Sequence, residues 1–476
     1  MRSLVGVLYG CGLVSFCFGQ TGASVAPLPP VPDTTLQTPL ADVHSTSIET
    51  FTAAGQTVIP PVAAVTAATP LPPITPETVA VPTPAPAWNL QDWERLALQN
   101  NPSLAEALAR VNALRGKWEQ VGLPPNPYAG YSSQQTGSGN IAEQRGVIFG
   151  QEFVLGHKLQ LNRAVASQEV RRAQEFYAAQ ELRVLTDVRI AYFEVLIARQ
   201  RQELASTIVT VAESMVRITQ QRLEAREIGK TDLLQSTIEL ASARLLQQRA
   251  QNQAIAAWRK LTATAGLPTL PPQPLAGDPA AQIPLLEWNA ILGRLLAQSP
   301  EIAAAQAEIQ RSRWAYQRAM AEKRPNVTFE GTVQDDRAID GINGAVLVTL
   351  PVPLWNKNQG GIVQAGHEAL AAERALNTLE LDLQQRLAVV FERYDTARVQ
   401  VERYTRQILP MARENLELIR QAYQAGEFDY MQFLLAQRTY SQTNLEYLSA
   451  VQELRTATTE IEGLLLSNSL QATNSR

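Results

Sequence analysis

From Gln359 to Ala425 the chain reads QGGIVQAGHEALAAERALNTLELDLQQRLAVVFERYDTARVQVERYTRQILPMARENLELIRQAYQA, and the order of its apolar residues decides the fold. Leu376, Leu379, Leu383, Leu387, Val390, Tyr394, Ala397, Val401, Tyr404, Ile408 and Met411 follow one another at steps of three and four. That alternation is a coiled-coil seam. At 1.5 Å per residue a helix of about 67 residues spans roughly 100 Å, too long for a compact domain and suited to crossing a periplasm. Pro410 lies inside it. A kink is expected there rather than an end, because the pattern runs on from Met411 to Leu418 and Ala422.

Working outward, the long helix stops at Ala425-Gly426-Glu427-Phe428-Asp429-Tyr430, and a shorter helix returns from Met431 to Leu466. Gly426 can take the left-handed conformation that closes a helix. Ahead of the long helix, Val327, Phe329 and Val333 alternate with Thr328, Glu330 and Thr332, giving a strand with one apolar and one polar face. A polar loop from Asp335 to Asn343 leads to a second apolar run, Gly344 to Leu354. Strands of about ten residues fit a tilted membrane-spanning strand.

The same unit occurs earlier in the chain, about 200 residues upstream. A short helix passes Pro102 and another passes Pro300, and the next matched prolines, Pro127 and Pro325, each fall 25 residues later. Tyr128 to Gln135 and Arg145 to Leu155 match the strand pair, His157 to Ala225 the long arm, and Asp232 to Thr264 the return. The first turn reads Ala225-Arg226-Glu227-Ile228-Gly229-Lys230-Thr231-Asp232; Gly229, three residues later than the glycine of the second, is expected to release the helix as Gly426 does, and Ile228 and Phe428 to lie exposed. The two repeats are placed at 88–273 and 274–466, with a disordered tail at 467–476. The fold class expected is mainly α with a small β part. Four strands per chain cannot close a barrel, whereas three copies pooling theirs make 12, above a tube of antiparallel helices.

At the N-terminus an uncharged run from Leu4 to Phe18 reads as a secretory signal, with residues 1–19 removed. Both cysteines, Cys11 and Cys17, lie inside it. Leu8-Tyr9-Gly10-Cys11 loosely matches a lipobox, an alternative that the apolar run continuing past Cys11 argues against. Residues 20–87 hold 14 prolines and no lysine or arginine, the composition of a disordered linker. A net charge of −4 offers no basic surface for nucleic acid. His157 and His367 lack partners at ligand spacing, and neither a nucleophile constellation nor a phosphate loop is present, so no metal site, cofactor or catalytic activity is expected. A periplasmic structural coiled-coil protein would account for the arms but not for the duplicated strand pairs.

Across some 380 positions the repeat resembles the outer membrane efflux protein (TolC) family. The marks are Leu-Ala-Leu-Gln-Asn-Asn-Pro at 96–102 with its copy at 295–300, the paired turns at 225 and 425, and Pro410 ahead of the second turn. Leu350-Pro351-Val352-Pro353-Leu354-Trp355-Asn356-Lys357-Asn358-Gln359-Gly360 is most similar to the heavy-metal efflux (CzcC-like) branch. The resemblance implies a homotrimer in the outer membrane of a Gram-negative-type bacterium, a passive exit duct for metal cations. Drugs or type I secretion are the alternative cargo. It further implies docking to a periplasmic adaptor and an inner-membrane pump of the resistance-nodulation-division (RND) type. The docking and aperture residues would be Arg226, Glu227, Ile228, Gly229 and Asp232 at the first tip, and Gly426, Glu427, Phe428, Asp429 and Gln432 at the second. Pro351, Pro353, Trp355, Asn356, Asn358 and Gly360 would form the barrel-to-helix junction, with Trp355 as an interfacial aromatic anchor.

Overall fold

The computed structural model describes residues 87–136, 142–281, 283–337 and 340–470; the residues read as a signal and nearly all of those read as a linker lie outside them. Each repeat opens with a helix pair broken at a proline. Helix α1 (Leu90–Asn100) gives way to α2 (Pro102–Gln120), and α5 (Trp288–Gln298) to α6 (Pro300–Ala321). The missing N–H of Pro102 and Pro300 is harmless in a first turn, so both prolines restart a helix rather than end one. Asn101 caps α2 through its side chain on Ser103 N.

Two strands follow each pair: β1 (Tyr128–Thr136) and β2 (Ala142–Phe153), then β3 (Val327–Asp336) and β4 (Gly341–Thr349). They form one antiparallel sheet in the order β1-β2-β3-β4, with Val147 paired to Tyr131 and to Val333. Among the described residues, the outer edges of β1 and β4 have no strand beside them.

The first arm is α3 (Lys158–Glu224), 67 unbroken residues, and α4 (Lys230–Thr264) returns beside it. The second arm is α7 (Gln359–Arg403), a π-turn at Tyr404–Ile408, and α8 (Leu409–Ala425), with α9 (Tyr430–Glu462) returning. The rod therefore continues through Pro410, as the periodicity indicates, but not in register. Leu383, Leu387, Tyr394 and Ala397 are buried as the seam requires. Beyond the π-turn Met411 and Leu418 are exposed, and Ala412 and Tyr423 are buried in their place. A π-turn holds one extra residue, and one residue rotates a helix by about 100°, so the inward set moves on by one position.

Two cores hold the arms to the helix pairs. In the first, Trp93, Leu104, Val188, Tyr192, Trp258 and Leu261 pack together; in the second, Ile291, Leu295, Ile302, Leu383, Leu387, Tyr394 and Leu454. In each a buried tyrosine hydroxyl is bound by the connecting strap, Tyr192 donating to Ala276 O and Tyr394 to Pro284 O. Of the segment expected as a tail, residues 467–470 are held against α3, where the Asp187 carboxylate accepts from Asn468 N at 2.9 Å and Ser469 N at 2.6 Å.

Candidate functional site

The sheet is two-faced. Residues paired across an antiparallel sheet share a face, and neighbours along a strand alternate. One face carries Tyr131, Val147, Phe149, Phe153, Phe329, Val333, Ile342, Val346 and Val348, most of them strongly exposed. The row Ala129, Phe149, Gly331, Val346 runs straight across it. The other face carries Ser132, Gln134, Gln144, Glu152, Thr328, Glu330, Thr332, Gln334, Asp336 and Asn343. There Tyr128 lies over Gly150, where any Cβ would strike its ring, and its hydroxyl donates to Glu330 Oε2 at 2.8 Å. Gln144 and Asn343 both donate to Asp336 Oδ2. Uncovered apolar area on this scale is unfavourable in water and favourable in hydrocarbon.

Below the strands lies the junction. The chain turns from β2 into α3 with His157 in the left-handed region and from β4 into α7 with Asn358 in the same conformation. Asn358 Nδ2 donates to Ala319 O at 2.9 Å, tying this turn to the end of α6, and Asn356 Oδ1 accepts from Asn358 N. Pro351, Asn356 and Gly360 are exposed, Pro353 is half-buried, and Trp355 is 86% exposed.

Lys158, which the sequence reading passed over, is buried here and donates to Asn326 Oδ1 at 2.9 Å and to Glu322 Oε1 at 3.4 Å. A lysine in the first turn of a helix opposes the helix dipole, and that mismatch was the available signal of a partner. Burial pushes the Glu322 carboxyl up, but Arg318 and Lys158 outweigh it and hold the group below its ordinary range.

At the opposite end of the arms the two turns lie side by side. Both close with the same hydrogen bonds: Glu227 N donates to Arg222 O and Glu427 N to Ala422 O, each at 2.9 Å. The left-handed residue is Gly426 in the second turn and Arg226, φ 60°, in the first. Gly229 was expected to release the first helix and does not; it is extended and starts α4, at the place where Asp429 caps α9 by accepting from Gln432 N. Position in the turn, not residue type, sets the closing conformation.

Glu227, Glu427, Phe428, Asp429 and Gln432 are exposed; Ile228, expected to be exposed, is half-buried, as is Asp232. A link unread in the sequence joins the turns. The Arg222 guanidinium sits 4.6 Å above the Tyr423 ring and donates to Tyr423 O at 3.4 Å. Beneath it Met215, Tyr423, Tyr430, Phe433 and Leu434 form a small core, and burial, with Tyr423 and Asp232 adding to it, pushes the Tyr430 hydroxyl up to about 12.

A profile of the family described as outer membrane efflux protein matches residues 93–267 and again 291–465. The chain belongs to that family. Its architecture agrees with an outer-membrane protein whose helical part lies in the periplasm. Among its relatives is the cobalt-zinc-cadmium resistance protein CzcC of Cupriavidus metallidurans, 24% identical over 370 residues, which are 78% of this chain and 88% of that one.

Among solved structures, the open MtrE outer membrane channel of Neisseria gonorrhoeae superposes with a TM-score of 0.67 at 18% identity, over 79% of this chain and 89% of that one. VceC of Vibrio cholerae gives 0.64 at 18% identity, over 79% and 96%. The family's members are passive channels rather than enzymes, and this outer membrane efflux protein is an outer-membrane efflux channel.

Proposed function

We propose that three copies of this outer membrane efflux protein assemble into one exit duct for metal cations, fed by an inner-membrane RND pump through a periplasmic adaptor. The observation that carries the assembly is the sheet: apolar on one face, polar on the other and, among the described residues, unpaired at both edges. Open edges are not tolerated in hydrocarbon, and three copies make the 12 strands of a closed barrel. The free side of α4 supports the same closure. Leu234, Ile238, Leu245 and Ile255 lie exposed along it at heptad-compatible spacing, a seam awaiting a neighbouring helix.

Kinship with CzcC supports metal ions as cargo. The exposed residues Glu427, Phe428, Asp429 and Glu227 are the surface offered to the adaptor, since they stand at the far end of arms of about 100 Å. Residues 1–19 act as the export signal and 20–87 as a spacer. The test is native mass spectrometry of the detergent-extracted protein beside metal tolerance of a strain lacking it. A trimer and a metal-sensitive strain are expected. A monodisperse monomer would overturn the assembly, and unchanged tolerance to cobalt, zinc and cadmium would overturn the cargo.

A further inference from the structure

Among the described strand residues, the polar sheet face holds three carboxylates and no lysine or arginine. Glu152, Glu330 and Asp336 all fall on it by register: Glu152 opposite Thr328, Glu330 opposite Gly150 and Leu347, Asp336 opposite Gln144 and Gly341. The one strand arginine described, Arg145, is paired with Asp335 and Ser133 on the lipid-facing side. Neutral donors hold the first two carboxylates, Tyr128 on Glu330 at 2.8 Å and Asn326 on Glu152 at 2.6 Å, and Gln144 is one of the donors on Asp336, at 2.9 Å. Lys158, a buried ammonium in the first turn of α3, is occupied with Glu322 and Asn326.

We infer that the barrel wall itself selects for cations over anions, with Glu330 as its principal determinant and Glu152 and Asp336 as outlying contributors. This rests on the trimeric barrel, in which each of these positions becomes a ring of three carboxylates. Rings of Asp and Glu are how channels favour cations without binding them. Glu330 and Asp336 are six residues apart, so their rings stand about 20 Å from each other along the strand, and Glu152 lies about 7 Å beyond Glu330. A negative charge therefore recurs along the strand facing the lumen. Twelve strands leave a water-filled lumen, and the influence of a wall charge across it extends about one Debye length, roughly 8 Å at physiological salt and 30 Å at 10 mM. The preference is accordingly modest at physiological salt and grows as salt is lowered.

The test is reversal potential across a planar bilayer holding the purified trimer, with a KCl gradient, at high and at low mean salt. The wild-type protein is expected to pass potassium over chloride by at least about twofold at low salt, and closer to equally at 1 M, where the Debye length is about 3 Å. Glu330→Gln keeps the acceptor for Tyr128 and removes the charge. It should lower the ratio, and E152Q/E330Q/D336N should bring it furthest toward one. Thr332→Lys adds a cation to the same face while leaving Glu330 in place. It should lower the ratio independently, which covers the case in which the acid-to-amide variants assemble poorly.

An unchanged ratio in the triple variant and in Thr332→Lys, at undiminished conductance, would overturn the inference and leave the channel standing, with selection made elsewhere, at the tips. Absence of any conductance step would overturn both.

Discussion

The left-handed conformation of Arg226 makes the first tip a place where backbone strain can be measured. A side chain in that region costs roughly 1–2 kcal/mol relative to a relaxed backbone. Glycine is free of the cost but loses roughly 0.5–1 kcal/mol through the greater freedom of its unfolded chain. Arg226→Gly is therefore expected to stabilise the closed turn by a net of about 0.5–1 kcal/mol, a two- to fivefold change in the opening equilibrium. Gly426→Ala is the mirror experiment. An added Cβ there meets nothing within 4 Å, so only the backbone term remains, and the second turn should open more often by a similar factor. Global melting of an outer-membrane protein is not a two-state transition, so the readout is local hydrogen exchange. The amides to follow are Glu227, bonded to Arg222 O, and Glu427, bonded to Ala422 O. If Glu227 in Arg226→Gly exchanges at the wild-type rate or faster, while Glu427 is unaffected in Gly426→Ala, strain at the left-handed residue does not control these turns.

Three further outcomes are expected. Because Tyr430 is raised to about 12 from an unfolded value near 10, its neutral form favours the folded tip. That contribution is whole below pH 10 and is lost as the pH rises through 12; tip protection should fall across this window, and less so in Tyr430→Phe. Phe149→Lys puts a charge in the middle of the lipid face, at roughly 2–4 kcal/mol, and should reduce assembled trimer on a semi-native gel, whereas Ile148→Lys, one residue away on the polar face, should be tolerated. Deleting Thr405 removes the extra residue of the π-turn and should rotate the lower arm back by about 100°, exposing Tyr423 to chemical labelling; unchanged burial of Tyr423 would refute the register argument.

What could be read from the sequence was periodicity. Steps of three and four gave the arms, steps of two gave the sheet faces, and matched prolines gave the repeat, because each is a property of many residues that a single exception does not erase. The features that escaped are local and depend on a partner far along the chain. Lys158 looks like a misplaced surface lysine until Glu322 and Asn326 are folded against it. Asp187 is one carboxylate on a long helix until residues 468 and 469 present their N–H groups to it. Arg226 shows the other kind of miss: glycine's tolerance of positive φ suggested Gly229 as the closing residue, yet hydrogen bonding to the last carbonyls fixes the place of closure and arginine accepts the strain.

The π-turn and the contact between the tips are connected. Had the seam of α7 continued in register, Met411, Leu418 and Ala422 would face inward, and Ala422 would stand opposite Arg222. An alanine offers a guanidinium nothing. With one residue added at Tyr404–Ile408, the inward positions become Ala412 and Tyr423, with Leu416 and Ile419 packed on the same tip core. Tyr423 then supplies a ring beneath Arg222 and a wall of the core that contains Tyr430 and Phe433. The first arm, unbroken over 67 residues, contributes the arginine; the second, re-registered, contributes the aromatic ring. Two copies of one unit thus meet at their tips through different chemistry. The difference arises about four to five helical turns from the contact, in a five-residue stretch ahead of a proline that cannot donate to the preceding turn.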